Sequence, residues 1–231
     1  MSVSSDAFEG CYWGSICDPD GKRRNRLEED KQFLEDIAEE LAYVDKLSSG
    51  KVLDVGCGPG WFLAALDSNW EKHGCELSKL AAEAAADKGT IFCGDILDAP
   101  YQNEMFDLIF CHHVIEHLPK PEQALERLRT FLKPGGKLIL GTPDFDSACA
   151  RRFGTNYRLL HDKTHISLFS ADSMRRFLRD FGFQIEHVAF PFFETRHFTK
   201  ENLLRLFDTD NISPPFYGNF MTFYAQKASS P

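Results

Sequence analysis

From Leu27 the apolar positions run Leu27, Leu34, Ile37, Leu41, Val44 and Leu47, with acidic residues between them. That spacing follows the helical period of about 3.6 residues and predicts an amphipathic helix ending at Ser48-Ser49-Gly50. Downstream the pattern shortens. Strands are predicted at KVLDVG (51–56), EKHGCEL (71–77), TIFCGD (90–95), FDLIFCHH (106–113) and KLILGT (137–142). Helices alternate with them at WFLAAL (61–66), SKLAAEAAADKG (78–89) and PEQALERLRTFLK (121–133). The last opens on Pro121 and stops at Lys133-Pro134-Gly135-Gly136.

The alternation lapses after Thr142 and resumes with a helix that Ser170 caps and Gly182 stops, burying Met174, Phe177, Leu178 and Phe181. Two more strands are predicted at FQIEHVAF (183–190) and GNFMTFYAQK (218–227). Strands alternating with helices this regularly require crossover connections, so the expected fold is α/β. It is a doubly wound, mostly parallel seven-stranded sheet with helices on both faces. The chain reads as one domain, residues 1–231. Within it lie an N-terminal cap segment and helix (1–49), a ligand-binding core (50–142), and insertions plus C-terminal strands (143–231).

Composition narrows the function. Of 231 residues 43% are hydrophobic and 26% charged, and the net charge is −9. Nucleic acid and anionic membranes need a positive field, so neither is expected as a partner. No apolar run approaches the ~20 residues of a spanning helix. The start MSVSSDAFEG lacks the basic and apolar stretches of a secretory signal. Seven cysteines without a C-x-x-C pair read as reduced thiols, so a cytoplasmic location is expected. Residues 1–145 carry 15 basic and 26 acidic side chains, whereas 146–231 carry 11 and 9. The C-terminal third is therefore mildly basic, and it also holds 13 of the 21 phenylalanines (those after residue 150).

In an open parallel sheet the ligand crevice lies at the carboxyl ends of the strands. The first strand ends there in Asp54-Val55-Gly56-Cys57-Gly58-Pro59-Gly60. The G-x-G-x-G spacing is not the G-x-G-x-x-G of dinucleotide folds, and no Gly-Lys is followed by Ser or Thr as in a P-loop. Asp54 would repel a pyrophosphate but suits an ammonium or sulfonium centre. Glu76 ends the second strand, where a carboxylate can accept both hydroxyls of a ribose. Asp95 ends the third, within reach of an adenine amino group. Each carboxylate alone is an ordinary loop residue; together they form an adenosine-binding line.

These motifs, together with GDILDAPYQNEMFDLIFCHHVIEHLPKPEQALERLRTFLKPGGKLILGTPD, resemble the class I S-adenosylmethionine (SAM) methyltransferases. The branch is the one containing ubiquinone- and menaquinone-biosynthesis and small-molecule enzymes. The likeness is strong over Lys51–Asp144 and moderate over Thr164–Val188. It implies that Asp54 faces the methionine ammonium and that Gly56, Gly58 and Gly60 pack on the methionine portion. It further implies that Glu76 binds the ribose, that Asp95 binds the adenine, and that Cys111 and His112 flank the methionine end. By the same resemblance Cys57, Leu77 and Ile96 are expected as neighbouring cofactor contacts. His112-His113 departs from the pattern of relatives. The implied activity is methyl transfer from SAM to the O, C or N of a small-molecule acceptor, releasing S-adenosylhomocysteine. A SAM-binding protein without catalysis and a dinucleotide oxidoreductase are the alternatives.

An acceptor that must lose a proton needs a base, and His117 and His165 are the candidates, with His113 behind them. In relatives a similar His precedes Phe-Ser or Phe-Thr at the opening of the helix after the fifth strand. His165 matches it, as a base or as a brace for that helix. Arg151, Arg152, Arg158 and Lys163 nearby would steer an anionic acceptor. Tyr12 and Trp13 are aromatic in a polar stretch and are expected either to fold over the cofactor or acceptor, or to pack on the sheet edge.

Three patterns carry less. His113-Val114-Ile115-Glu116-His117 matches a zinc-peptidase motif, but it follows a strand with Pro119 and Pro121 close behind, and that motif works only on a helix. Ser213-Pro214-Pro215-Phe216 resembles the tetrapeptide of amino-methyltransferases, displaced from its place after the fourth strand. Cys57, Cys75, Cys93 and Cys111 recur at strand ends without converging on a tetrahedron. No metal is expected.

Overall fold

The computed structural model describes residues 10–14, 16–18, 21, 23–191, 193, 195–215 and 219–228. A short helix α1 (Gly10–Gly14) leads into a two-stranded antiparallel ribbon, β1 (Ile16–Cys17) and β2 (Arg23–Arg24). The helix expected from Leu27 is broken. A 3-10 turn at Arg26–Glu28 precedes α2 (Asp30–Asp36) and α3 (Ala38–Val44). The break falls at Ile37, whose φ of −107° and ψ of 21° are not helical. Ile37 and Val44 are buried against the sheet, and the bend carries Glu40 inward with them. Glu40 is thus buried, unlike the other acidic residues of this segment, and the Thr222 hydroxyl donates to its Oε1 at 2.8 Å.

The core then alternates as expected: β3 (Lys51–Val55), α4 (Trp61–Ala65), β4 (Glu71–Glu76), α5 (Lys79–Ala85), β5 (Thr90–Cys93), β6 (Phe106–His112), α6 (Pro121–Phe131) and β7 (Leu132–Pro143). Next come α7 (Ala148–Phe153), α8 (Ala171–Asp180), β8 (Phe183–Ala189), α9 (Lys200–Arg205) and β9 (Phe220–Lys227). The seven-stranded sheet has the order β5-β4-β3-β6-β7-β9-β8. It is parallel except for β9, which runs antiparallel to β7 and β8. Strand order reverses between β3 and β6, which opens the crevice above their carboxyl ends. β7 begins earlier than expected. Leu132 pairs with Phe106 and Lys137 with Leu108, so Lys133-Pro134-Gly135-Gly136 is accommodated as a register shift.

Two apolar layers hold the sheet. On one face Leu125 and Leu128 of α6 and Met174 and Leu178 of α8 pack on Ile109 and Leu138. On the other, Val44, Phe62, Leu63 and Ala85 pack on Val52 and Phe110. The Phe62 and Phe110 rings stack at 4.0 Å. Ser170 caps α8 through a reciprocal bond with Ser173, so the expected helix start is present. Ser213 is buried in a loop contact, its Oγ accepting from Arg158 N at 2.9 Å, and Phe216 lies outside the described residues.

Candidate active site

The turn after β3 is forced into the left-handed region, with φ of +67° at Gly56 and +51° at Gly58, which only glycine adopts without strain. Closeness also requires glycine there. Val114, from the turn after β6, packs on Gly56, and a β-carbon at Gly58 would meet the Trp13 indole. Glu76 ties the turn to the neighbouring strand. Its Oε2 accepts from Gly58 N at 2.9 Å and its Oε1 from Ser78 N at 2.8 Å, at the start of α5. Asp95 is exposed at the rim, accepting from Leu97 N at 2.9 Å, while Leu77 is half-buried and Ile96 lies in the core.

Asp54 is buried beside Glu76. Burial, and then the Glu76 charge, push its pKa well above the usual carboxylate range. The described residues give it neither an ion pair nor a side-chain hydrogen bond. A buried carboxylate beside a second one suits a positively charged ligand. Trp13 lies over this floor with its buried Nε1–H lacking an acceptor among the described residues. Burial pushes the thiols of Cys57 and Cys111 up, so both are neutral. The Cys111 side chain is buried in the apolar core on one face of the sheet.

His112 points the other way, stacked on Phe110 at 5.4 Å, with Nε2 3.8 Å from Glu40 Oε1. Burial holds its pKa well below the usual value, with His113 adding to the effect, so the ring is neutral. Its Nδ1 has no hydrogen-bond partner among the described residues. His112 lines a cavity of about 770 Å³ with Glu39, Glu40, Phe193, Arg196 and Phe220. This space opens where the resemblance puts the methionine end.

His113 takes a left-handed φ of +56° and brings Nδ1 3.2 Å from Glu116 Oε1. The Thr142 hydroxyl donates to Glu116 Oε2 at 3.1 Å. The Glu116 backbone carbonyl accepts from Ile166 N and Ser167 N, tying the loop after β7 to the turn after β6. That tie brings His165 to His117, their rings 4.9 Å apart. Burial would raise Glu116, but the His113 bond and the nearby histidines outweigh it and hold its pKa at about 2. His117 is pushed down, chiefly by burial, and is neutral. His165 does not open α8 directly; it sits in the loop five residues before the Ser170 cap.

Of the cations expected to steer an anionic acceptor, the three arginines have partners. Arg151 pairs with Asp146 at 2.6 Å and Arg158 with Asp18 at 3.7 Å. Arg152 donates to the Leu206 carbonyl at 2.5 Å. Tyr12 lies under Arg26, whose guanidinium carbon is 4.0 Å from the ring centre, and feels the charges of Asp162 and Glu116. Sequence reasoning missed Glu40 and the role of Glu116. Glu40 had a signal, since it stands three residues after Ile37 and four before Val44 on the buried stripe. Glu116 had none beyond its spacing from His113.

A methyltransferase-domain family matches residues 23–188. A ubiquinone biosynthesis O-methyltransferase of Coxiella burnetii is 32% identical over 117 residues, 44% of this chain and 48% of that protein. An uncharacterized protein of Methanocaldococcus jannaschii is 28% identical over 146 residues, 63% of this chain and 64% of its own. The chain spans 34% to 66% of the length of such curated relatives. Among solved structures, a SAM-dependent methyltransferase of Thermotoga maritima, described as a possible histamine N-methyltransferase, has a TM-score of 0.62 at 24% identity. The match covers 87% of this chain and 95% of that one. The [4+2]-cyclase SpnF has a TM-score of 0.63 at 20% identity, covering 85% and 82%. At these identities the structures share the fold.

Proposed function

The chain belongs to the class I SAM-dependent methyltransferase family, and on that premise we propose that it methylates a small-molecule acceptor and releases S-adenosylhomocysteine. The observation that carries this reading is the row of carboxyl-end groups, Asp54, the glycine turn and Glu76, roofed by Trp13. The residues fit SAM. The Asp54 carboxylate suits its ammonium, the Glu76 carboxylate suits ribose hydroxyls, and Asp95 at the rim suits the adenine amino group. Bound SAM supplies a methyl carbon made electrophilic by the adjoining sulfonium.

The chain's own task is alignment and exclusion of water. Trp13 covers the glycine turn, and the cavity beside His112 admits an acceptor of small-molecule size. His117 donates Nδ1–H to the Thr164 carbonyl at 3.0 Å and His165 donates its own to Leu159 O at 2.7 Å. In its neutral form each ring therefore carries a lone pair on Nε2, suited to receiving a proton from an acceptor hydroxyl. In this reading residues 1–49 cap the site, 50–142 hold the cofactor and 143–231 shape the acceptor side.

The test has two steps. Calorimetry with SAM against NAD should show saturable binding of SAM alone. A turnover screen over phenols, quinones, sugars, carboxylates and amines should release S-adenosylhomocysteine with at least one class. Because the fold also houses a cyclase, SAM binding without S-adenosylhomocysteine release from any acceptor would leave a binding or non-methylating role instead.

A further inference from the structure

We propose that Glu116, His117 and His165 form a binding site for one divalent first-row transition ion of the manganese, iron, cobalt or zinc class. One ligand atom from each of the three side chains lies within 4.8 Å of the other two. The no-metal expectation rested on His113-x-x-Glu116-His117 lacking a helix, and the motif indeed forms a single 3-10 turn. The turn alone would not make a site. The third donor comes from the loop after β7, held in place by the two backbone bonds onto the Glu116 carbonyl.

The orientation of each donor favours a cation over an ordinary hydrogen-bonded cluster. The carbonyls of Thr164 and Leu159 can only accept, so Nδ1 of His117 and of His165 must carry the hydrogen. In the neutral form of either ring the lone pair is thereby fixed on Nε2. A backbone carbonyl receiving the other N–H is the outer-shell arrangement that orients metal-ligating histidines. Glu116 is wholly buried and oriented by Thr142. Among the described residues no Lys or Arg forms an ion pair with it. Its ion-pair partner among the described residues is His113, and a dication held together with His117 and His165 would add a full positive charge.

Two imidazoles and one carboxylate suit a transition ion better than magnesium or calcium, which prefer all-oxygen sets. Three protein donors leave positions open to water or to an oxygen-bearing acceptor. Asp162, whose Oδ2 is 3.9 Å from His165 Nε2, stands at the edge of the site as an additional negative charge. This inference does not depend on methyl transfer: an ion held there takes the two Nε2 lone pairs, so the base role proposed above belongs to the ion-free form.

The experiment uses the full chain, stripped with a chelator and dialysed. Mn²⁺ is titrated and followed by the paramagnetic resonance of the free ion, and Co²⁺ by its visible absorption. One ion per chain should bind saturably, and either ion should raise the melting temperature. His165→Ala and His117→Ala should each weaken binding at least tenfold. Both keep Glu116 and its core contacts, and a cooperative melt of each ion-free variant verifies folding. SAM affinity measured by calorimetry on the stripped protein reads the cofactor site separately. Absence of saturable binding of Mn²⁺, Co²⁺ and Zn²⁺ would overturn the proposal. So would wild-type affinity in both folded variants, which would place the ion elsewhere.

Discussion

The Trp13 indole lies over Gly58, so that a β-carbon at position 58 would come 2.6 Å from its Cη2. Gly58→Ala meets two penalties, since its φ of +51° costs an L-residue about 1–2 kcal/mol and the ring must also move. The variant should melt at lower temperature and bind SAM more weakly. Adding Trp13→Ala should recover the steric part of the stability loss and leave the backbone part. A double-mutant cycle on unfolding free energies measures this, and a coupling near zero would show that the ring does not rest on the turn.

Glu76 has two tasks, and its replacement should reveal both. Glu76→Ala removes the acceptor for Gly58 N and Ser78 N as well as the expected ribose contact. Charge-assisted bonds of ~1.5–3 kcal/mol correspond to a loss of roughly 10–100-fold in SAM affinity. Thermal stability should fall in the ligand-free protein too. Glu76→Gln keeps one acceptor oxygen and should fall between. Calorimetry returning wild-type affinity for Glu76→Ala would remove Glu76 from the cofactor site.

Asp54 should trade stability for binding. Its charge is buried next to Glu76, an unfavourable pair in the absence of a cation. Asp54→Asn should therefore stabilise the ligand-free protein by on the order of 1 kcal/mol. The same change should weaken SAM binding, because the ammonium loses its counter-charge. Denaturant melts with and without SAM test both halves, and a variant that is less stable without ligand would contradict the account.

The buried, neutral His112 ring makes stability pH-dependent in a defined direction. Its folded pKa lies below its unfolded value, so below about pH 6.5 the unfolded chain binds a proton that the folded chain excludes. Stability should be full above that pH and fall on acidification, by up to about 1.4 kcal/mol per pH unit for one proton. His112→Asn should show a shallower decline between pH 7 and pH 5. An unchanged slope would mean that the ring is protonated or solvated in the folded state.

The alternation of strands and helices, and with it the doubly wound sheet, was determined by the sequence, because periodicity and Gly or Pro stops act within a few residues. The same locality made Asp54, the glycine turn, Glu76 and Asp95 legible as a group. Asp54 and Glu76 lie at the ends of β3 and β4 and Asp95 two residues past β5, and parallel strand ends lie side by side whatever the intervening helices contain. Tertiary structure alone decided the rest. Ile37 breaks its helix because the sheet, not helix propensity, sets where that side chain packs. Glu40 turns inward because the bend brings Thr222, from the far end of the chain, to its carboxylate. Trp13 reaches Gly58 from an N-terminal helix with no periodic link to it. Glu116 and His117 meet His165 only because two loops after different strands share the Glu116 carbonyl. Such contacts join residues distant in sequence, and they are fixed by packing and long-range hydrogen bonds that leave no repeating trace along the chain.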